Sequence, residues 1–166
     1  METRRVARAI ILVAIGVAIS PFTSIPIGLA KINPSQHFVN VISAILLGPW
    51  WATGIAMVIG ILRNALGTGT LLAFPGGMVG AFLAGYVYHY TRNIYLGALG
   101  EVVGTGILGA ILSAWIVAPV FMEKKVALAA LIITFSGSTL LGSIIGIFAL
   151  RLLERAGFTK LRSNGA

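Results

Sequence analysis

Gln36, Asn40 and Ser43 recur at spacings of four and three inside an apolar run, with His37 beside Asn40. That spacing puts them on one face of a helix. Two amides, a hydroxyl and an imidazole suit two purposes. They can hydrogen-bond to neighbouring helices, at about 0.6 to 2 kcal/mol per contact. They can equally line a pocket for a small polar ligand, because Gln36, His37 and Asn40 fall at the outer end of their run, next to the long link 23–35. Arg63 and Asn64 close the following run on the same side, and the glycine-rich stretch Gly67-Thr68-Gly69-Thr70 comes next. No lysine follows these glycines, as a Walker loop requires, and Gly67 and Gly69 are followed by Leu72 where a dinucleotide fingerprint needs glycine. The stretch reads as a loop lining a cavity, its bare backbone tolerated only against protein or water. His37 and His89 are the only histidines and fall on opposite sides, and no run holds a carboxylate pair, so no nucleophile, base or metal set assembles. The expectation is a binding protein, not an enzyme, with no metal and no cofactor.

These residues need a scaffold, and composition names its solvent. The chain is 58% hydrophobic and 10% charged, with a mean hydropathy of +1.00, against about 25% charged in soluble domains. It reads as an all-α integral membrane protein, a single membrane domain over 1–166, built as a bundle of six transmembrane helices. The apolar runs are Val6 to Phe22, Gln36 to Gly48, Trp50 to Leu66, Ala73 to Tyr90, Ile94 to Phe121 and Val126 to Leu153. About 20 residues cross a bilayer core, so the second and third runs, joined only by Gly48-Pro49, are tilted, incomplete or a re-entrant pair. The first run has the arginines of a signal sequence before it, but Pro21 after Ser20 makes a poor cleavage site. With no cysteine there is no disulfide framework.

The net charge of +8 sits at the ends of the runs, which argues for membrane topology and against nucleic acid. With a cytoplasmic N-terminus, Arg4, Arg5, Arg8, Arg92, Arg151, Arg155, Lys160 and Arg162 lie inside, while Lys31, Arg63, Lys124 and Lys125 lie outside. The excess places both termini in the cytoplasm and the longer links, with the function, outside.

Gly76, Gly80 and Ala84, with Gly77, Ala81 and Gly85 one step round, form the small-residue pattern that lets helix backbones approach. Gly100, Gly104, Gly106 and Gly109 thin the fifth helix, and Thr134, Ser138 and Gly142 form a small polar ridge on the sixth. Trp115 is either an aromatic wall of the pocket or an interfacial anchor, and Phe135-Ser136 offer a ring and a hydroxyl. Glu101, the one carboxylate well inside a run, lies about a turn and a half from the cytoplasmic end. It snorkels or accepts hydrogen bonds from a neighbouring helix, in preference to meeting a ligand or carrying a proton.

The stretches "INPSQHFVNVISAILLGPWWA", "GILRNALGTGTLLAFPGGMVGAFLAG" and "EVVGTGILGA" resemble the S components of energy-coupling factor (ECF) vitamin transporters, specifically the ThiW group associated with the thiazole precursor of thiamine. The likeness runs from about Ala9 to Gly146. It implies a six-helix subunit that captures a vitamin-like molecule from outside and works with a membrane coupling (T) subunit and two cytoplasmic ATPase subunits. In that family the vitamin sits near the outer surface. Carried over, that neighbourhood contains Asn33, Gln36, His37, Asn40, Arg63, Asn64, Thr68, Trp115, Phe135 and Ser136. S components dock on the coupling subunit through small residues four apart on the first helix. Ala14 and Ala18 match that spacing, which is also the spacing of ordinary helix packing. Arg63 and Lys31 leave room for an anionic relative of hydroxyethylthiazole. The alternatives are an S component for another vitamin, or a self-sufficient transporter or channel that oligomerises through its glycine faces.

Overall fold

The computed structural model describes residues 2–158, and within them the chain is six helices and one small hairpin. Lys160 and Arg162, counted above toward the inner charge, lie outside the described residues. Helix α1 spans Glu2–Thr23. Strands β1, Ile25–Ile27, and β2, Ala30–Ile32, pair antiparallel with Ile25 opposite Ile32. Their two-residue turn relies on Gly28 at φ +59°, open to glycine because it carries no Cβ. The hairpin departs from the purely helical expectation. Its three-residue strands are too short to show any alternation, so the sequence reads there as a plain link.

Helix α2, Pro34–Leu47, starts where Asn33 accepts the Ser35 N–H and Pro34 occupies the first turn, whose N–H would be unpaired in any case. Gly48 at φ +93° turns the chain directly into α3, Pro49–Ala65. Helix α4 is Ala73–Thr91. Asn93 then caps α5, Ile94–Phe121, by accepting from Tyr95 and Leu96 N–H. Helix α5 widens into π-helical turns over Gly104–Gly109 and Ser113–Phe121. Glycines and Pro119 in these stretches leave the ordinary ladder easy to open. Helix α6, Leu128–Arg155, completes the bundle.

Helix α2 runs through the centre, packed by α1, α3, α4, α5 and α6. Eleven of its fourteen residues are buried. This resolves its shortness: a helix enclosed by protein has no need to match the thickness of lipid by itself. Helices α1, α5 and α6 are long and apolar enough to cross a membrane. Val39, Ile42, Ile45, Ile59 and Leu150 fill the middle of the core, and Leu72, Ala110, Leu131 and Phe135 fill the end beneath the hairpin.

The glycines work as the small-residue pattern foresees. A Cβ on Gly104 would stand 2.7 Å from the Gly80 Cα, and one on Gly100 would stand 2.9 Å from the Leu83 carbonyl oxygen. Helices α4 and α5 therefore touch backbone to backbone, a contact that any larger residue would force apart. On the other side Gly142 meets the Pro34 carbonyl and the His37 Cβ, which seats α6 on α2.

The outside is greasy. Ile10, Ile133, Ile144 and Phe148 are each more than 60% exposed, a pattern that water punishes and lipid tails accept. Trp50, Phe82, Tyr86 and Tyr90 form a chain of ring contacts where α3 begins and α4 ends, the position of an interfacial aromatic belt. The surface is that of a multi-pass membrane protein. The first apolar run, which has the charges of a signal sequence, is a packed member of the bundle.

Candidate functional site

Connectivity sends the C-termini of α1, α3 and α5 and the N-termini of α2, α4 and α6 to one end of the bundle, capped by the hairpin. The polar residues of α2 face inward there. Gln36 and Asn40 are 2% and 0% exposed, so each needs an internal partner. The partners come from three helices.

Glu101, on α5, is fully buried and gathers the first group. One of its oxygens, Oε1, lies 2.8 Å from His37 Nδ1 and accepts from Asn40 Nδ2 at 2.9 Å and Thr105 Oγ1 at 3.0 Å. Asn40 also donates to the Gly77 carbonyl, and the Thr105 hydroxyl shares its one proton between Glu101 and the Gly76 carbonyl, tying α2, α4 and α5 together. The other oxygen, Oε2, has no hydrogen-bond partner and packs toward Gly80, where a Cβ would stand 2.7 Å from it. Gly80 thus makes room for the carboxylate. Glu101 does not snorkel. Of its two expected fates, accepting hydrogen bonds from a neighbouring helix is the one found.

Arg63 gathers the second group. Only 3% exposed, it donates through Nη1 to Gln36 Oε1 and through Nη2 to the Thr68 carbonyl at 3.3 Å, while Nε has no partner. The absent side chain at Gly77 leaves space for the Gln36 amide. The loop 66–72 wraps this arginine: the Thr68 and Gly69 N–H groups both donate to the Arg63 carbonyl at 2.9 Å. Gly67, at φ +71°, allows that turn.

Between the two groups lies a cleft. His37 and Thr105 border it from the Glu101 group, Arg63 and Ala73 from the loop side, and Phe135 and Ser138 from α6, while Lys31 and Asn33 stand with the hairpin. The walls of the cleft leave room for only about one water molecule, about 10 Å³. The hairpin shuts it. Lys31 Nζ donates to the Gly67 carbonyl at 2.6 Å, Ser24 Oγ to the Thr68 carbonyl at 3.2 Å, and Ser138 Oγ accepts the Asn33 N–H at 3.0 Å. His37 Nδ1 is taken by Glu101, which leaves Nε2 without a protein partner.

The residues singled out from sequence divide. Asn33, His37, Arg63 and Phe135 line the cleft. Gln36 and Asn64 border a second, tighter crevice with Gly60 and Thr70, and Gln36 holds Arg63. Asn40 is one layer behind, on Glu101, and Thr68 contributes its carbonyl. Trp115 is 69% exposed and stands outside the bundle, so of its two roles the interfacial anchor is the one its position fits. Ser136 packs on Gly106 of α5 and not in the cleft, where Ser138 supplies the hydroxyl. Ala14 and Ala18 are exposed, whereas Gly16 between them packs on Ile59. Thr105 was missed, although it lies four residues after Glu101 and hence on the same helical face. Ser138 had been noticed only as part of the polar ridge on α6.

The six-helix architecture is similar to that of the S component of a bacterial ECF transporter, with a TM-score of 0.77 at 20% identity over 95% of this chain and 98% of that one. At that identity the likeness speaks for the fold. Residues 6–156 match the family of thiamine-precursor transporter proteins (ThiW), and the chain belongs to that family. No curated protein matches it.

Proposed function

We propose that this chain is the substrate-binding membrane subunit of an ECF-type uptake system, capturing a hydroxyethylthiazole-like precursor of thiamine. The observation that carries this reading is the cleft itself: His37, Arg63, Thr105, Phe135 and Ser138 converge on one interior space beneath a hairpin. Polar groups buried in a membrane bundle mark binding sites and pathways unless packing consumes them. Here His37 Nε2 and Arg63 Nε remain unconsumed. One aromatic ring and a few hydrogen-bonding partners suit a small flat heterocycle. The hairpin end faces outward and both termini face the cytoplasm in this account, as the arginine excess at the termini end favours. Because the cleft is nearly closed, capture requires the hairpin and loop 66–72 to part.

In this reading transport energy comes from a coupling subunit and two cytoplasmic ATPase subunits, as the resemblance to ECF S components implies, and this sequence itself has no Walker loop. Ala14 and Ala18 lie along an apolar groove of about 830 Å³ between α1 and α3, floored by residues such as Val13, Trp51 and Ile55. A helix of the coupling subunit would lie against this small-residue strip, where backbones can approach closely.

Calorimetry of the purified chain against hydroxyethylthiazole, thiamine, riboflavin and biotin tests the reading. Saturable binding of the thiazole in preference to riboflavin and biotin is expected. Preference for an intact vitamin keeps a binding subunit but moves the substrate. Binding of none, together with solute flux through this chain alone in liposomes, contradicts the proposal.

A further inference from the structure

The charges around the cleft do not balance. Arg63 is buried to 97% and lines the cleft, with Lys31 half-buried at the rim. The described residues contain two ion pairs, His37–Glu101 and Arg151–Glu154, and neither involves Arg63 or Lys31. The whole chain has four acidic residues. Glu2 and Glu154 belong to the far end, and Glu123 is exposed on the link between α5 and α6. Glu101 is committed to His37, Asn40 and Thr105 through Oε1, and its free oxygen packs toward Gly80 and does not line the cleft. The cleft is therefore bordered by the Arg63 guanidinium and the Lys31 ammonium with no carboxylate among its lining residues, and of its basic groups only His37 has a carboxylate partner.

A buried cation without a counter-ion is costly, and proteins retain such groups where a partner charge arrives. Gln36 and the Thr68 carbonyl each take one terminal nitrogen of the Arg63 guanidinium, while its Nε–H is buried and has no partner. A guanidinium with hydrogen-bonding capacity left over is the group that suits a carboxylate or phosphate oxygen pair. Resting on the thiazole-binding reading above, we infer that the preferred substrate is an anionic thiazole, one whose side chain ends in a carboxylate or a phosphate. The anion meets Arg63, with Lys31 at the rim, while the ring lies toward Phe135 and His37. A thiazolium cation such as thiamine is disfavoured by the same charges.

The test uses the full chain purified in detergent and three probes sharing one ring: hydroxyethylthiazole, its phosphate ester, and the thiazole bearing an acetate in place of the hydroxyethyl group. At least one anionic probe should bind about tenfold or more tighter than the alcohol. Arg63→Gln should lower anion affinity far more than alcohol affinity. Lys31→Gln, at a half-buried site with one hydrogen bond to the Gly67 carbonyl, should lower it by a smaller factor, and it serves where Arg63→Gln does not fold. Which anion wins identifies the source of the charge. An alcohol that binds as tightly as both anions, or thiamine that binds tighter, overturns the anion inference and leaves the binding subunit standing. Failure of every thiazole to bind overturns the substrate reading itself.

Discussion

Replacing Glu101 with alanine lowers the stability of the purified protein by about 3 kcal/mol, read as a fall in the thermal or denaturant midpoint in detergent. His37, Asn40 and Thr105 lose their shared acceptor, and while Thr105 and Asn40 keep the Gly76 and Gly77 carbonyls, His37 Nδ1 is left with none. Hydrogen bonds inside membrane bundles average about 0.6 kcal/mol and reach about 1.7, because the unfolded helices also find partners. Three such losses, with a cavity between α2, α4 and α5 added, reach the quoted figure. Glu101→Gln keeps the volume and one carbonyl acceptor, and should cost less than half as much. Its amide nitrogen takes the place of Oε2, which accepts no hydrogen bond beside Gly80. Were Glu101→Ala as stable as the parent, the carboxylate would be free of structural duty, and a direct role in ligand or proton handling would replace the one assigned to it.

Tethering the hairpin to loop 66–72 abolishes capture. The chain has no cysteine, so Ser24→Cys with Thr68→Cys introduces the only thiols. Ser24 Oγ already donates to the Thr68 carbonyl at 3.2 Å, so the two residues are neighbours that a short, reducible thiol-specific linker can span. The cleft beneath has room for about one water molecule, so a thiazole cannot enter while the hairpin is fixed. Binding should weaken at least about tenfold on cross-linking and recover on reduction. Unchanged affinity in the cross-linked protein would mean that the ligand enters by another route or binds elsewhere.

How far the sequence could be read depended on the kind of signal. The apolar runs located all six helices, and Ile94 to Phe121 has the same limits in the structure, because lipid-facing helices are selected by simple hydrophobicity over many residues. The glycines of α4 and α5 foretold a close crossing for the same local reason: spacing alone puts them on one face. The inward stripe on α2 was legible too. Its partners were not, since pairing Asn40 and His37 with a glutamate sixty-odd positions away is a property of packing. Placing Glu101 by its distance from the helix end suggested a shallow site, but α2 is short and central, so its first turn already lies deep in the bundle. The choice of Ser136 over Ser138 failed on rotation: two residues along a helix turn a side chain by about 200°. Asn33 drew notice as a polar group near a loop, but most of its capacity goes to capping α2 and holding Ser20.

Ligand-protected labelling tests the central claim most directly. Lys31→Cys, at the rim of the cleft, and Arg155→Cys, exposed at the end of α6, are each treated with a membrane-impermeant maleimide in intact cells, with and without the thiazole that binds best. The account predicts that Lys31→Cys reacts from outside and is shielded by the thiazole, while Arg155→Cys reacts only once the membrane is opened. Lys31→Cys reacting only in opened cells, or reacting equally with and without the thiazole, would contradict an outward-facing cleft that holds the substrate.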